Sequence, residues 1–312
     1  MKRESHILYC LLAAALCAVP ARANDLTALL PGSRPDAMGT AFSTLSDDPY
    51  VIFYNPAGLA GIPSVENRFG LARKLSPFAS AGEAAIAYSR PIPDSRYTSG
   101  LGYHAVRQNE IGSMDTLVAG IGSSFMLKYL QRPVMYGGSF KLISLRDPEK
   151  SHFGAGLEGG MTFSSNMGLS TSLTLSNLVI GLGRSLAGFG IGNSYRIKDT
   201  LFSADLRIRG SYSEFFYGLE HNMFNGLMQL RAGKGLSLNG PGYLAMGLGF
   251  NTLPWIIDFT ASIPWKGFGD EAGVYGVNVG YRFDAPTFTE RFVGDAGAKV
   301  GALRTQVEDL RS

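Results

Sequence analysis

Cysteine and long apolar runs are both scarce in this chain. Its 312 residues include two cysteines, Cys10 and Cys17, and both lie in an N-terminal stretch that we expect to be removed. The rest of the chain could then form no disulfide, thiolate metal site or cysteine nucleophile. After residue 23 no uninterrupted apolar stretch reaches the ~18 residues that a transmembrane helix requires. A helical membrane protein is therefore excluded.

Charge is also sparse. Only 17% of the residues are charged and the formal net charge is +3, whereas 45% of the residues are hydrophobic. This balance would not attract nucleic acid by bulk charge, so we expect no nucleic-acid partner. It suits a protein whose outer surface meets lipid better than it suits a soluble β-protein with a charged exterior.

The first 23 residues have the features of a secretory signal peptide. Lys2 and Arg3 precede an apolar run from Ile7 to Val19, and Ala21-Arg22-Ala23 follows as an A-x-A cleavage site. We therefore predict that residues 1–23 are removed and that the protein is exported. An exported chain without a membrane helix can still span a membrane as a closed barrel, because closure pairs every backbone N–H and C=O between strands.

Hydrophobicity alternates with period two along much of the chain, as in a β-strand with one apolar face. In the segment 274–283 the apolar side carries Tyr275, Val277, Val279, Tyr281 and Phe283, and the other side carries Gly276, Asn278, Gly280 and Arg282. From about Ser64 we count roughly fourteen such segments, separated by Gly, Pro, Asn and Asp turns. The pattern predicts an all-β fold, a transmembrane antiparallel β-barrel of about 14 strands over residues 64–283.

Strand parity assigns a set of charged and polar side chains to the interior of this barrel. The candidates for lining the lumen are Lys141, Glu158, Asp205, Arg207, Arg209, Glu220, Arg231, Asp258 and Arg282. Both signs occur, so the lumen would not be a simple anion or cation selector. Aromatic residues near segment ends would form interfacial girdles, and these are Trp255, Tyr136, Tyr195, Tyr217, Tyr275 and Tyr281.

Glycine is abundant, with forty residues, about twice the usual ~7%. Many of these glycines lie inside the predicted strands, where glycine ordinarily weakens pairing. Two interpretations stay open from the sequence. Inner-wall glycines would let an internal plug or a solute approach the backbone closely, or they would supply the bends and bulges that barrel closure needs.

A turn-rich segment precedes the first strand. It contains Asp47-Asp48-Pro49 and Asn55-Pro56-Ala57-Gly58-Leu59, and each proline holds the residue before it out of the helical region. The stretch from Asp36 to Ala60 resembles the N-terminal region of the outer-membrane FadL-like superfamily, including its PorV/PorQ branch. The resemblance implies a 14-stranded barrel in which residues 24–63 fold into the lumen as a plug. The plug or gating residues would then be Asp47, Asp48, Pro49, Asn55, Pro56, Ala57, Gly58 and Leu59.

The same resemblance implies two functions. Members of the FadL branch pass hydrophobic compounds inward and release them laterally through a gap beside a kinked strand, whereas PorV-like members serve protein secretion and surface attachment. We therefore expect passive transport of small, fatty-acid-like molecules across the bacterial outer membrane, with outer-membrane lipid as the surroundings. Arg207, Arg209 and Arg231 would meet a polar head group. The alternative is a scaffold or shuttle component of a secretion system.

Catalytic motifs are weak. The sequence Gly154-Ala155-Gly156-Leu157-Glu158-Gly159 matches a dinucleotide-binding glycine pattern, but no helix follows it to receive a phosphate. The histidines outside the signal peptide are dispersed and no G-x-S-x-G sequence occurs. We therefore expect that the protein is not an enzyme and that it has neither a cofactor nor a metal site.

The periodicity changes after Phe283. Thr287 and Glu290 have capping-box spacing, and apolar residues then recur every three or four positions, as in a helix. We predict a periplasmic C-terminal helical tail over residues 284–312. It would dock beneath the barrel, or bind a periplasmic or secretion partner.

Overall fold

The computed structural model describes ten stretches of the chain that together outline the whole barrel. The described residues are 29–75, 81–108, 112–127, 132–147, 150–165, 167–182, 187–209, 212–237, 243–264 and 273–285. The predicted signal peptide, residues 1–23, and the predicted tail after Ala285 lie outside the described residues.

Fourteen antiparallel strands form one closed barrel, in which each strand pairs with its neighbours in sequence and β1 pairs with β14. The prediction of a closed barrel of about 14 strands is confirmed. The strands are β1 Glu66–Leu75, β2 Ala81–Pro91, β3 Tyr97–Gln108, β4 Gly112–Leu127, β5 Arg132–Arg146, β6 Ser151–Ser164, β7 Leu169–Ile180, β8 Gly188–Ile197, β9 Thr200–Arg209, β10 Tyr212–Met223, β11 Met228–Ser237, β12 Tyr243–Thr252, β13 Trp255–Pro264 and β14 Gly273–Arg282.

We name the two ends of the barrel by the chain. At the lower end β1 begins and β14 ends, and at the upper end β1 ends and β14 begins. The two longest connections, residues 181–187 and 265–272, are both at the upper end. The lower end carries an aromatic cluster, in which the Tyr281 ring lies 5.0 Å from Trp255 and 4.9 Å from Phe283 between ring centroids. Tyr217 lies in the middle of β10 and so belongs to neither predicted girdle.

The outward face of the barrel is apolar. Every strand exposes at least one large hydrophobic side chain, among them Phe69 (47%), Leu157 (57%) and Trp255 (52%). Water would strongly disfavour so extensive an apolar surface, because each large side chain left exposed forgoes ~1.5–3 kcal/mol of burial. The inward positions between them are mostly polar, small or glycine, with some buried apolar side chains such as Val118 and Ile143, so the predicted alternation between the two faces is observed. The dinucleotide-like glycine pattern lies inside β6, which is followed along the chain by β7 and not by a helix.

The segment before β1, residues 29–64, forms short helices and turns. The helices are α1 Ser33–Ala37, α2 Val51–Tyr54 and a 3-10 helix Pro56–Gly61. Most of this N-terminal segment is buried, and Met38, Phe42, Tyr50, Ile52 and Leu59 are each 0% exposed. Together with a few strand residues these side chains form the main hydrophobic cluster of the molecule.

One strand departs from regular pairing. Between Leu157 and Gly159 of β6 the register to β7 shifts, so that Glu158 faces both Ser176 and Asn177. Asn177 has a positive φ of 54°, which a β-bulge tolerates and Asn adopts more readily than most residues. The extra residue changes the strand parity. Asn177 and Val179 are buried, whereas Leu178 and Ile180 are exposed.

Candidate functional site

The N-terminal segment contacts the inner side of the barrel on opposing walls. Helix α1 packs against β11, β12, β13 and β14, and the 3-10 helix packs against β3, β4, β5 and β6. Helix α2 lies between them and contacts β3 and β4. The strand residues that meet this segment lie on the faces opposite to the exposed apolar side chains.

Glycines of the inner wall make this close approach possible. A Cβ atom at Gly218 would collide with the backbone of Met38, and one at Gly233 would collide with Met38 and Gly39. Further glycines that face the N-terminal segment in the same way are Gly70, Gly100, Gly102, Gly122, Gly137, Gly160, Gly192 and Gly247. Of the two interpretations of the glycine content, the structure favours bare backbone that admits an internal segment at these positions.

Asn55 organises the turn that the sequence singles out. Its Oδ1 accepts a hydrogen bond from Ala57 N at 3.1 Å, which caps the 3-10 helix, while Pro56 occupies the first helical position. Its Nδ2 donates to Ser43 O at 2.7 Å and to Thr162 Oγ1 on β6 at 3.0 Å. Asn55 is 0% exposed, so these bonds join the N-terminal segment to itself and to the wall.

The remaining motif residues surround this turn. Leu59 is buried between Gly100 and Gly122. A Cβ atom at Gly58 would lie 2.5 Å from Leu45 O. Pro49 precedes α2 and is buried.

The two aspartates of the motif have different surroundings. Asp47 is about half exposed and its two carboxylate oxygens accept from Arg34 Nη1 and Nη2 at 2.9 and 3.1 Å. Asp48 is 1% exposed, and its Oδ1 accepts from Tyr50 N at 2.9 Å. Its Oδ2 lies 3.6 Å from Arg68 Nη2 and 3.8 Å from Arg34 Nη1.

These environments move the two carboxyl pKa values in opposite directions. Burial acts to raise the pKa of Asp47, but the charge and hydrogen bonds of Arg34 leave that pKa below its ordinary value. Burial raises the pKa of Asp48 above its ordinary value, although Arg68 and Arg34 both act to lower it. Burial also opposes the charge of Arg34, yet Asp47 and Glu220 raise the pKa of its guanidinium. Arg34 and Asp47 are therefore a charged pair.

A continuous chain of ion pairs extends from Arg34 across the lower half of the barrel. Arg34 Nε donates to Glu220 Oε2 at 2.8 Å, and Arg231 Nε donates to the same oxygen at 2.7 Å. Arg231 Nη1 then reaches Asp258 Oδ1 at 2.6 Å, and Arg68 Nη1 reaches Asp258 Oδ2 at 2.9 Å.

Glu66 completes this charged sector. Its Oε1 accepts from Arg68 Nε and its Oε2 from Arg282 Nε, both at 2.7 Å. The charged sector consists of Arg34, Asp47, Asp48, Glu66, Arg68, Glu220, Arg231, Asp258 and Arg282. It joins the N-terminal segment to β1, β10, β11, β13 and β14, and so spans the seam where the first and last strands meet.

A second anchor lies on β9. Asp205 Oδ2 accepts from the backbone N–H groups of Phe42 and Ser43, both at 3.0 Å, and its Oδ1 accepts from Ser43 Oγ at 2.7 Å. Arg207 donates to Thr40 O and to Asp205, and its guanidinium lies 4.5 Å from the ring centroid of Phe216. Arg207 therefore binds the N-terminal segment through Thr40.

The opposite wall holds a separate ion pair. Lys141 Nζ donates to Glu158 Oε1 at 2.6 Å, and both side chains are buried. The same oxygen accepts from Asn177 N of the β7 bulge at 3.4 Å. Arg209 is 7% exposed at the upper end of β9, far along the strand from Thr200 at the lower end.

Above this pair, inward-facing apolar side chains meet at the upper end. Val106, Met114, Ile143 and Val179 form a buried cluster, against which Leu29, Leu145 and Leu182 pack. We call these seven residues the apolar cluster. A cavity of about 20 Å³ beside it is lined on one side by Leu29, Leu30, Met114 and Ile143 and on the other by polar groups that include His104, Lys141 and Asn177.

The sequence therefore selected nine charged positions, which the structure distributes over four places. Glu220, Arg231, Asp258 and Arg282 lie in the charged sector, Asp205 and Arg207 lie under the N-terminal segment, and Lys141 and Glu158 lie on the opposite wall, with Arg209 at the upper rim of β9. Arg34, Glu66 and Arg68 were missed. Alternation within β1 was sufficient to find two of them, since Glu66 and Arg68 share the parity of Gly70 against Phe69 and Leu71.

No catalytic or metal centre is evident in the part of the chain that the structure describes. Within those residues no cluster of three or more His, Asp or Glu side chains is placed to hold a metal ion. Across the same stretches, no helix has both the length and the apolar character needed to cross a membrane.

Comparison with known proteins identifies the fold. No family model and no curated protein sequence matches the chain. Among solved structures, the chain is similar to the toluene transporter TodX of P. putida with a TM-score of 0.55 and 12% sequence identity, over 82% of this chain and 99% of TodX. It is also similar to a FadL homologue of Pseudomonas aeruginosa, with a TM-score of 0.54 and 9% identity over 86% of this chain and all of that one. At this level of identity the likeness concerns the fold.

Proposed function

We propose that this protein is a bacterial outer-membrane barrel that passes small hydrophobic molecules by passive transport. The observation that carries the proposal is the placement of apolar residues in two places. The whole exterior suits hydrocarbon, and the apolar cluster puts buried apolar side chains in the upper lumen, where an apolar solute would enter by displacing part of their packing. The likeness in fold to TodX and to a FadL homologue supports the same reading.

The N-terminal segment would act as a luminal plug with a gate at Asp47–Leu59. Its support is the set of contacts with opposing walls, since helix α1 and the 3-10 helix together reach eight strands. The Asn55–Leu59 turn is the part of the segment that meets β4, β5 and β6, the wall below the apolar cluster. The upper end, with the two longest connections, would face the outside, as in barrels with short periplasmic turns.

Release would occur laterally, beside β7. In the described residues the pairing of β7 with β8 ends at Ser176 and Gly188, so the last part of β7, from Asn177 to Ile180, pairs with β6 alone. The bulge at Asn177 lies at this point and turns Val179 into the lumen. A solute on the apolar cluster would therefore reach the wall where the sheet is paired on one side.

Uptake by whole cells tests transport. Cells with and without the protein are given labelled toluene or a labelled long-chain fatty acid, and the proposal expects faster uptake with the protein. Val179→Asp would place a charge in the apolar cluster and abolish the faster uptake. Ile180→Asp is the control, because it alters the next residue, which is 77% exposed on the outside. Equal uptake by all cells, with normal amounts of folded barrel, would reject transport.

A reversible crosslink tests the plug. A Cβ atom at Gly276 would lie 3.0 Å from Ser33 Oγ, a spacing compatible with a disulfide between Ser33→Cys and Gly276→Cys. If the segment occupies the lumen, the pair crosslinks on oxidation in intact, folded barrel. Failure to crosslink while the single variants remain folded would contradict the plug. Uptake before and after reduction then reports whether α1 must move.

The scaffold alternative depends on the C-terminal tail. Of residues 284–312, only Asp284 and Ala285 are described. A pull-down of the protein with and without residues 287–312 tests this alternative. A partner that binds only when the tail is present would support it.

A further inference from the structure

A polar cavity of the described barrel lies at the lower end, away from the apolar cluster. It has a volume of about 410 Å³ and lies between the N-terminal segment and the lower parts of β8 to β14. Ile256 is its one apolar lining residue among those described. A hydrophobic solute would gain little here, so transport leaves this polar vestibule unexplained.

Arginines outnumber acids on the walls of the vestibule. Its lining includes five arginines, Arg34, Arg68, Arg196, Arg231 and Arg282, against the three acids Asp47, Asp199 and Glu220. The other three carboxylates of the charged sector, those of Asp48, Glu66 and Asp258, do not line it. The wall is therefore more positive than the sector as a whole.

The lining acids of the charged sector are already bound by protein donors. Both oxygens of Asp47 accept from Arg34, and both oxygens of Glu220 accept from Arg34 as well, with Arg231 on Oε2. These carboxylates consequently have little remaining attraction for a further cation. Their repulsion of an anion is reduced by the same bonds.

Several guanidinium donors remain. Arg231 uses Nε and Nη1, which leaves Nη2, and Arg282 uses Nε, which leaves both Nη atoms. The side chain of Arg196 makes no hydrogen bond or ion pair with the described residues and is exposed at the rim. Arg231 is 6% exposed, so its Nη2 group is held in place by the surrounding protein. Guanidinium groups with two free N–H positions suit the oxygens of a phosphate or carboxylate.

An acceptor lies in the same cavity. Asn251 lines it, and its buried Oδ1 has no hydrogen-bond partner in the described chain. A buried acceptor without a donor costs ~1–3 kcal/mol, so a ligand that also donates would fit best. Hydrogen phosphate carries a P–OH group at neutral pH, and a phosphate monoester carries one while it is singly ionised, whereas sulfate and carboxylates are acceptors alone.

From these features we propose that the polar vestibule is a binding site for a phosphate group. The donors are Arg196, Arg231 and Arg282, and Asn251 accepts from the phosphate hydroxyl. The group is supplied either as free phosphate or as the phosphomonoester head group of a phosphatidic acid at the rim. This site is independent of hydrophobic transport and holds whether or not the apolar cluster carries a solute.

Titration of the full-length protein in detergent at low salt tests the site. Inorganic phosphate should bind saturably by calorimetry, and sulfate should bind at least tenfold more weakly. Arg282→Gln and Arg196→Gln should each weaken phosphate binding about tenfold or more, since a charge-assisted hydrogen bond contributes ~1.5–3 kcal/mol. Arg107→Gln changes an arginine on the outside at the upper end, paired with Asp115 at 2.6 Å, and should leave binding unchanged.

Two further arms complete the test. The Arg196 side chain makes no hydrogen bond with the described residues, so its variant stays informative if Arg282→Gln fails to fold. A short-chain phosphatidic acid below its micelle concentration should compete with phosphate if the source is lipid, and should have no effect if the site admits free phosphate alone. Absence of saturable phosphate binding, equal binding of sulfate, or equal weakening by Arg107→Gln would overturn the assignment.

Discussion

The charged sector and the apolar cluster are built from the same kind of position, an inward-facing strand residue, yet they have opposite chemistry. The charged sector lies in the lower half, on the N-terminal segment and on β1, β10, β11, β13 and β14, and hydrogen bonds of 2.6–2.9 Å join Arg34, Glu220, Arg231, Asp258 and Arg68. The apolar cluster lies at the upper end, with its strand residues on β3, β4, β5 and β7, and is held by burial alone.

The difference shows that the chemistry of the lumen changes both from the lower end to the upper end and from one wall to the other. A charged group buried in the lower half is tolerable because Glu66, Glu220 and Asp258 each accept hydrogen bonds from two arginines. The upper cluster carries no such partners and can meet an apolar solute without leaving a charge uncovered. The N-terminal segment separates the two regions, since Arg34 joins the charged sector while Leu29 contacts the apolar cluster.

The largest effect is expected from breaking the charged sector. Glu220→Ala would leave Arg34 and Arg231 without their shared carboxylate and should lower the free energy of unfolding by ~3–5 kcal/mol. Thermal unfolding in detergent, followed by the heat-dependent gel shift of the folded barrel, measures it. Asp115→Ala breaks the exposed Arg107 pair and should cost ~0–1 kcal/mol. Equal losses would show that the sector does not act as a buried network.

The next effect is steric, at the boundary between wall and segment. Gly218→Ala would place a Cβ atom against the backbone of Met38, and we expect overpacking to cost ~1–3 kcal/mol. Protease sensitivity of the N-terminal segment, compared with that of the barrel, reports the displacement. Gly82→Ala meets nothing within 4 Å and is the matched control. If Gly218→Ala leaves the protease sensitivity of the N-terminal segment unchanged, the segment can shift to accommodate the added methyl group.

A smaller effect is expected in the apolar cluster. Ile143→Val removes one buried methylene and should lower unfolding stability by ~0.5–1.5 kcal/mol. Ile121→Val makes the same change at a side chain that is 44% exposed on the outside, where detergent or lipid fills the space. Denaturant unfolding of the two variants measures the difference. Equal stability would indicate that the cluster is loosely packed.

The smallest effect concerns pH. The pKa of Asp47 is lowered by Arg34 despite burial, so its contribution to stability is present above the ordinary carboxyl pKa of ~3.9 and is lost as the pH falls below it. Burial raises the pKa of Asp48, so the contribution of Asp48 to the pH dependence of stability has the opposite sign. Asp47→Asn should therefore flatten part of the loss of stability on acidification, seen as melting temperature against pH. An unchanged profile would contradict the pairing.

Strand alternation predicted the direction of most side chains but could not predict their partners. Asp258 and Arg231 were assigned to the interior from parity alone, because neighbouring residues of a strand must point to opposite faces. That Arg231 binds Glu220 and Asp258 together depends on the register of three strands. The bulge at Asn177 also escaped the sequence, since one extra residue in a β-strand changes the parity after it.

The sequence by itself determined the alternation of the strands and predicted the closure of the sheet. Apolar side chains on every second residue give each strand one apolar face, and a sheet surrounded by hydrocarbon must close to pair its backbone. The tertiary structure alone decided which glycines admit the N-terminal segment, which charges form the charged sector and where β7 loses its second neighbour. These depend on contacts between residues as distant as Arg34 and Glu220, and local periodicity carries no information about such pairs.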